Sequence, residues 1–197
     1  MAKVKLTKNE LKSQKDALKR FQRYLPTLQL KKQQLQIVIR QVEAAQRAKR
    51  AEREEAHRAL QSWIGVFGEG IPVDEYVEVK ELETEVGNIA GIDIPVFKEL
   101  TFEDVQYDLF VQSLWVDAGV KELKHLVSLD AELKVLERQH DLLSEELRIT
   151  TQRVNLFEKV KIPETKENIR RIRIYLGDQQ TAAVVRGKIA KNNIVKA

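Results

Sequence analysis

Three histidines, His57, His125 and His140, are the side chains best suited to hold a metal or move a proton at neutral pH. Their spacing suits neither task. No two stand four apart on one helical face and no H-E-x-x-H occurs, so no pair of imidazoles converges on an ion. Gly187-Lys188 is followed by Ile189 and lacks the upstream glycine of a phosphate-binding loop. Gly68-Glu69-Gly70 sets a carboxylate where a phosphate would need amides, and reads as a helix stop. With no cysteine there is no thiolate nucleophile, disulfide or thiolate zinc site. Carboxylates are plentiful, but acid–base catalysis needs a pocket around them. The sequence predicts no catalytic residue, no cofactor-binding residue and no metal ligand.

What the chain does carry is patterned charge. Residues 1–58 hold 16 Lys and Arg against 6 Asp and Glu, residues 59–146 hold 6 against 20, and residues 147–197 hold 12 against 4. The net charge of +4 hides two basic ends and an acidic middle. Arg170, Arg171 and Arg173 form the densest basic cluster near the end. Such clusters permit phosphate contacts, but no aromatic residues interleave with them and no recognition module accompanies them. Nucleic acid is therefore not an expected partner.

These charges must be carried on helices. Gly and Pro total only 12 of 197 residues, aromatics are 6%, and strong helix formers dominate. Apolar residues recur at heptad spacing: Val4, Leu11, Leu18, Leu25 and Ile39 in one series, Phe21, Leu28, Leu35 and Val42 in its partner. Beyond Val42, alanines (Ala44, Ala45, Ala48, Ala51, Ala56, Ala59) replace the large residues. A second seam follows with Leu126, Leu133, Leu147 and Val154 alongside Leu129, Leu136, Leu143 and Phe157. Only His140 and Thr150 break it, and Ile162, Ile169, Ile172 and Leu176 continue an apolar face. The patterns predict helices over about 5–64 and 115–190, roughly 90 and 110 Å long at ~1.5 Å per residue. Pro26 and Pro163 should each remove a helical hydrogen bond and kink their helix.

Between the helices, residues 76–86 are rich in β-branched residues, and Ile92-Asp93-Ile94-Pro95-Val96-Phe97 is a second short apolar run. Gly87-Asn88 and Ala90-Gly91 supply turns, so the insert predicts a β-hairpin with Pro95 on an edge strand. An isolated hairpin is marginal and must lean on the helices, with Trp63, Phe67, Phe110 and Trp115 as the expected packing surface. The fold expected is mainly α: a long antiparallel two-helix coiled coil with a small β-hairpin insert at the bend end. The expected divisions are 1–66 for the first helix, 67–114 for the insert and 115–197 for the returning helix. The alanine stripe should then face the leucine-rich start of the second helix, small against large. A coiled-coil dimer is the alternative pairing.

Several segments resemble the D subunit of V-type and A-type ATPases. Leu6-Thr7-Lys8-Asn9-Glu10-Leu11 is similar to the family's opening, and Leu30-Lys31-Lys32-Gln33-Gln34-Leu35 to a segment in which the family usually has Arg-Asp in place of Gln33-Gln34. Gln152-Arg153-Val154-Asn155-Leu156-Phe157-Glu158, continuing to Ile162-Pro163, resembles the family's R-R-V-N-A-L-E-x-x-x-I-P signature, with Gln152 in place of the first Arg and Leu156-Phe157 in place of Ala-Leu. Gly87 to Pro95 resembles its turn in the insert.

The resemblance implies a non-catalytic central-stalk rotor, without cofactor or metal. In such complexes the paired termini enter a hexamer of A and B subunits. The bend end meets the F subunit and a funnel-like subunit leading to the membrane ring. The chain would sit in the cytoplasm within a membrane-associated complex, with no segment inserted in the membrane. ATP hydrolysis or synthesis in the hexamer would be coupled through it to ion, including proton, transport. Arg153, Asn155, Glu158, Pro163, Arg170, Arg171 and Arg173 are the residues expected to face the hexamer. A coiled-coil adaptor or tether without rotary role is the alternative.

Overall fold

The computed structural model describes residues 4–61, 65, 76–103, 105, 113 and 115–196. Thr7 opens the first helix: its hydroxyl accepts from the Glu10 amide at 3.2 Å, capping one of the unpaired N–H groups of the first turn. Helix α1 then runs Lys8–Gln61, strand β1 Val79–Ile89, strand β2 Ile92–Phe102, helix α2 Val116–Asn155 and helix α3 Ile162–Lys196. A six-residue π-helical turn, Leu156–Lys161, joins α2 to α3. The described residues are thus mainly helical with one two-stranded antiparallel sheet, as their periodicity predicts. Two compact units divide it, one of residues 1–32 with 149–197 and one of residues 33–148.

In the unit of residues 33–148, Leu35, Ile39, Val42 and Leu143 are buried together, with Leu136 and Leu147 partly buried against them. Leu129 and Leu133 are also buried, and Leu126 is half-buried. Past Val42, heptad spacing lands on Gln46, Lys49, Arg53, Ala56 and Leu60, of which Leu60 is buried, Gln46, Lys49 and Ala56 are half-buried and Arg53 is exposed. The alanines do not fill that seam: Ala44, Ala45, Ala48, Ala51 and Ala59 are exposed and only Ala56 is half-buried. Ion pairs take over. Lys49 meets Glu132 at 3.0 Å, Arg50 meets Glu137 at 3.0 Å, and Arg53 meets Asp130 at 2.5 Å. The stem of Lys49 can cover apolar surface while its ammonium reaches the carboxylate, whose hydrogen bond raises the lysine pKa. His140, a break in the expected seam, is half-buried with Nε2 3.6 Å from a Glu43 carboxylate oxygen.

The hairpin turns through Ala90 and Gly91, both with positive φ (54° and 78°), the geometry of a two-residue type I′ connection. The Asn88 side-chain oxygen accepts from the Gly91 amide at 3.1 Å, and its amide donates to Asp93 at 2.6 Å. Register shifts near Lys80 and Lys98 bulge the ribbon. Its turn reaches well back along the helices: Ile94 is buried among Leu35, Ile39, Val42 and Leu143, with Ile89, Ala90 and Ile92 beside it. The Gln139 side-chain amide donates to the Pro95 carbonyl, which accounts for a glutamine buried on α2. Of the four aromatics expected to hold the insert, Trp63, Phe67 and Phe110 lie outside the described residues. Trp115 packs at the base with Tyr76 and Val77 around Val116 and Val120.

Leu143 is 0% exposed, whereas Leu136 is only partly buried. Leu143→Ala should therefore cost about 2–5 kcal/mol in urea unfolding and Leu136→Ala distinctly less. Equal and small losses would mean that this seam does not hold the unit together.

Candidate partner-binding face

The unit of residues 1–32 and 149–197 has its own seam. Leu11, Leu18, Phe21, Leu25 and Leu28 of α1 are half-buried, as is Phe157 in the π turn, and Val154 is buried. The Phe21 and Phe157 rings lie 5.2 Å apart at 47°, a tilted aromatic contact worth about 0.5–1.5 kcal/mol beyond area. Thr150, the other expected break, is 1% exposed and keeps its inward position. Thr165, Ile169 and Ile172 extend the buried line along α3.

Everything expected to face a partner is on the outside of this unit. Arg153, Asn155, Glu158, Pro163, Arg170, Arg171 and Arg173 are all exposed. They do not converge on one spot. Arg153 and Arg170 are 17 residues apart in the chain, roughly 25 Å of helix at ~1.5 Å per residue. Arg170 and Arg173, one turn apart, line an open groove of about 640 Å³ between α1 and α3. Its apolar lining is Leu18, Ile169 and the exposed Ile174, and Lys15, Lys19 and Lys166 line it with the two arginines. Arg171 points to another side, with Nε 3.2 Å from Glu167, which also lies 3.6 Å from Arg170. The three lysines were not among the expected residues, although Lys12, Lys15 and Lys19 recur at helical spacing and signal one basic stripe.

The two prolines are accommodated by different means. At Pro26, α1 continues without a change of helix type. At Pro163 the helix type changes, with the π turn lying immediately before it. There the Ile162 amide donates to the Phe157 carbonyl, five residues back. Pro163 thus falls in the first turn of α3, where a missing N–H costs least. The Thr165 hydroxyl donates to the Lys161 carbonyl at 2.6 Å, tying that first turn to the π turn.

Five cations on a groove with an apolar lining suit an acidic surface that also carries apolar side chains. Among the described residues, no group of three or more His, Asp or Glu could hold a metal ion, and no helix is long and apolar enough to cross a membrane. Exposed charges contribute little to folding. Reversing Arg170, Arg171 and Arg173 to Glu should leave helicity unchanged and cost less than about 1 kcal/mol, measured by circular dichroism on heating. A larger loss would show that these arginines support the fold.

Comparison with known proteins finds similarity along nearly the whole chain. The family model for the D subunit of ATP synthase matches residues 10–192. A Borreliella burgdorferi protein, named as the D subunit of V-type ATP synthase, is 53% identical over 196 residues, covering 100% of this chain and 97% of the relative. Proteins of the same name from Chlamydia pneumoniae and Chlamydia muridarum are 34% and 33% identical, each over 97% of this chain and 93% and 96% of their own lengths. Similarity that spans both units, the hairpin and the π turn leaves no part of the described fold unmatched, and the chain belongs to the ATP synthase D-subunit family.

Proposed function

We propose that this chain is the central-stalk rotor of a V-type ATP synthase, coupling nucleotide turnover in an A/B hexamer to ion movement through a membrane ring. The observation that carries the reading is its full-length similarity to proteins named as the D subunit of V-type ATP synthase. The exposed basic groove supports it. A rotor does no chemistry of its own; it must present different faces in turn to repeated catalytic interfaces. Charges that are not needed for folding are free to do this, because they steer encounter and set preference among faces without altering the scaffold.

In this reading Arg153, Asn155, Glu158, Pro163, Arg170, Arg171 and Arg173 face the hexamer, joined by Lys15, Lys19 and Lys166. The F subunit and the funnel-like subunit bind the unit of residues 33–148. The chain itself neither binds nor hydrolyses ATP, and works on the cytoplasmic face of the membrane without entering it.

Co-purification from cells expressing the tagged chain tests the reading. The native chain should bring down A, B and F subunits. The Arg170, Arg171 and Arg173 to Glu variant should lose A and B increasingly as salt is raised, yet retain F. Loss of F with retention of the hexamer would invert the assignment of the two units. A chain that captures none of these ATPase proteins, and sediments as a stable dimer, would instead be a coiled-coil tether.

A further inference from the structure

Heptad positions counted along α1 from Val4 fall on Leu11, Gln14, Leu18, Phe21, Leu25 and Leu28, all half-buried. This face has one phase throughout. The returning segment has two. Counting sevens and alternate threes and fours from Leu126 and Leu129 reaches Thr150, Val154 and Phe157, which are inward. Continued at the same phase, the count would bring Lys161, Glu164, Asn168, Arg171 and Tyr175 inward. The buried residues are instead Thr165, Ile169 and Ile172, each one position later, at 5%, 7% and 0% exposure. Ile162 and Leu176 are half-buried on the same count, while of the unshifted positions Glu164, Arg171 and Tyr175 are exposed and Lys161 and Asn168 only half-buried. The seam therefore gains one residue between Phe157 and Ile162, and the π turn occupies that interval.

We infer that the π turn is a register corrector: it takes up the single residue by which the two seams of the returning segment are out of phase, and Pro163 fixes where this happens. A π turn holds one more residue than an α turn over nearly the same axial rise, so the surplus is absorbed locally. Were it absorbed one turn earlier, Asn155 and Glu158 would enter the seam in place of Val154 and Phe157. One turn later, Lys161 and Glu164 would enter in place of Ile162 and Thr165. Either slip buries charge against apolar neighbours. Pro163 adds a steric reason, since in an uninterrupted α-helix its ring would strike the carbonyl four residues before it. The corrector is also what keeps Arg171 out of the seam.

Single-residue deletions in the full chain test this, with Pro163→Ala as background so that the ring clash does not obscure the result. Removing Lys159 there should turn 116–196 into continuous α-helix with both seams intact. Its melting temperature should match or exceed that of the Pro163→Ala chain. A Leu18→Cys, Ile169→Cys pair should still form an intramolecular disulfide at an unchanged rate. Removing Arg148 deletes the same number of residues but drives Asn155 and Glu158 inward, and should lower melting by about 10 °C or more. Restoring Pro163 in the chain lacking Lys159 should lower its melting again. If deletion of Lys159 is as damaging as deletion of Arg148, the π turn holds no surplus residue and the inference fails. The measurement needs no ATPase partner, so that failure would leave the rotor reading untouched.

Discussion

The invariant phase of α1 is the constraint on which the rest depends. From Leu11 to Leu60 the covered positions keep one count of threes and fours, although their chemistry changes from large apolar side chains to Gln46 and Lys49, and only Arg53 on that count is exposed. Any segment that lies along this helix must answer the same count. In residues 33–148, α2 answers with Leu143, Leu133 and Leu129 and then with carboxylates. In residues 149–197 the answering chain carries one residue too many for an α-helix, and the backbone changes helix type rather than give up the seam.

The ion pairs of α1 and α2 place basic side chains of the first third against acidic ones of the middle, so the charge blocks are partly complementary rather than simply opposite ends. Exposed pairs of this kind are worth only about 0–1 kcal/mol each. Their larger effect is on specificity. Lys49 to Glu132 and Arg53 to Asp130 are both broken by a slip of one turn, in a stretch where exposed alanines offer no shape to oppose one.

The two seams and the hairpin were legible because large apolar residues recur at periods that only one backbone conformation turns to a single side. The alanine stripe misled because six small residues close together suggest a packing face. Counting back from Leu60 to Val42 places five of the six outward. Gln139 carried no signal, since nothing in a glutamine announces that a Pro95 carbonyl from a distant strand will meet it. The exposed arginines were legible as surface, but the groove was not, because it needs Lys15 and Lys19 from one helix beside Arg170 and Arg173 from another. The surplus residue was present in the spacing from Phe157 to Ile162, and Pro163 drew attention to a kink instead.

The hairpin is fastened near its turn by Ile94 and near its base by Phe102, whose ring lies 5.5 Å from the Lys124 ammonium. Along the ribbon Val79, Leu82, Val86 and Val96 are exposed, Val86 by 78%, and among the described residues no third strand pairs with either edge. Such a ribbon invites a strand from another molecule. Glu81, Glu83, Glu85 and Glu99 fringe it, and Lys98 pairs with Glu83 at 3.0 Å. A second copy approaching edge to edge would bring carboxylates against carboxylates. The acidic fringe thus opposes edge-to-edge pairing of two copies, in the way charged side chains guard an exposed strand edge.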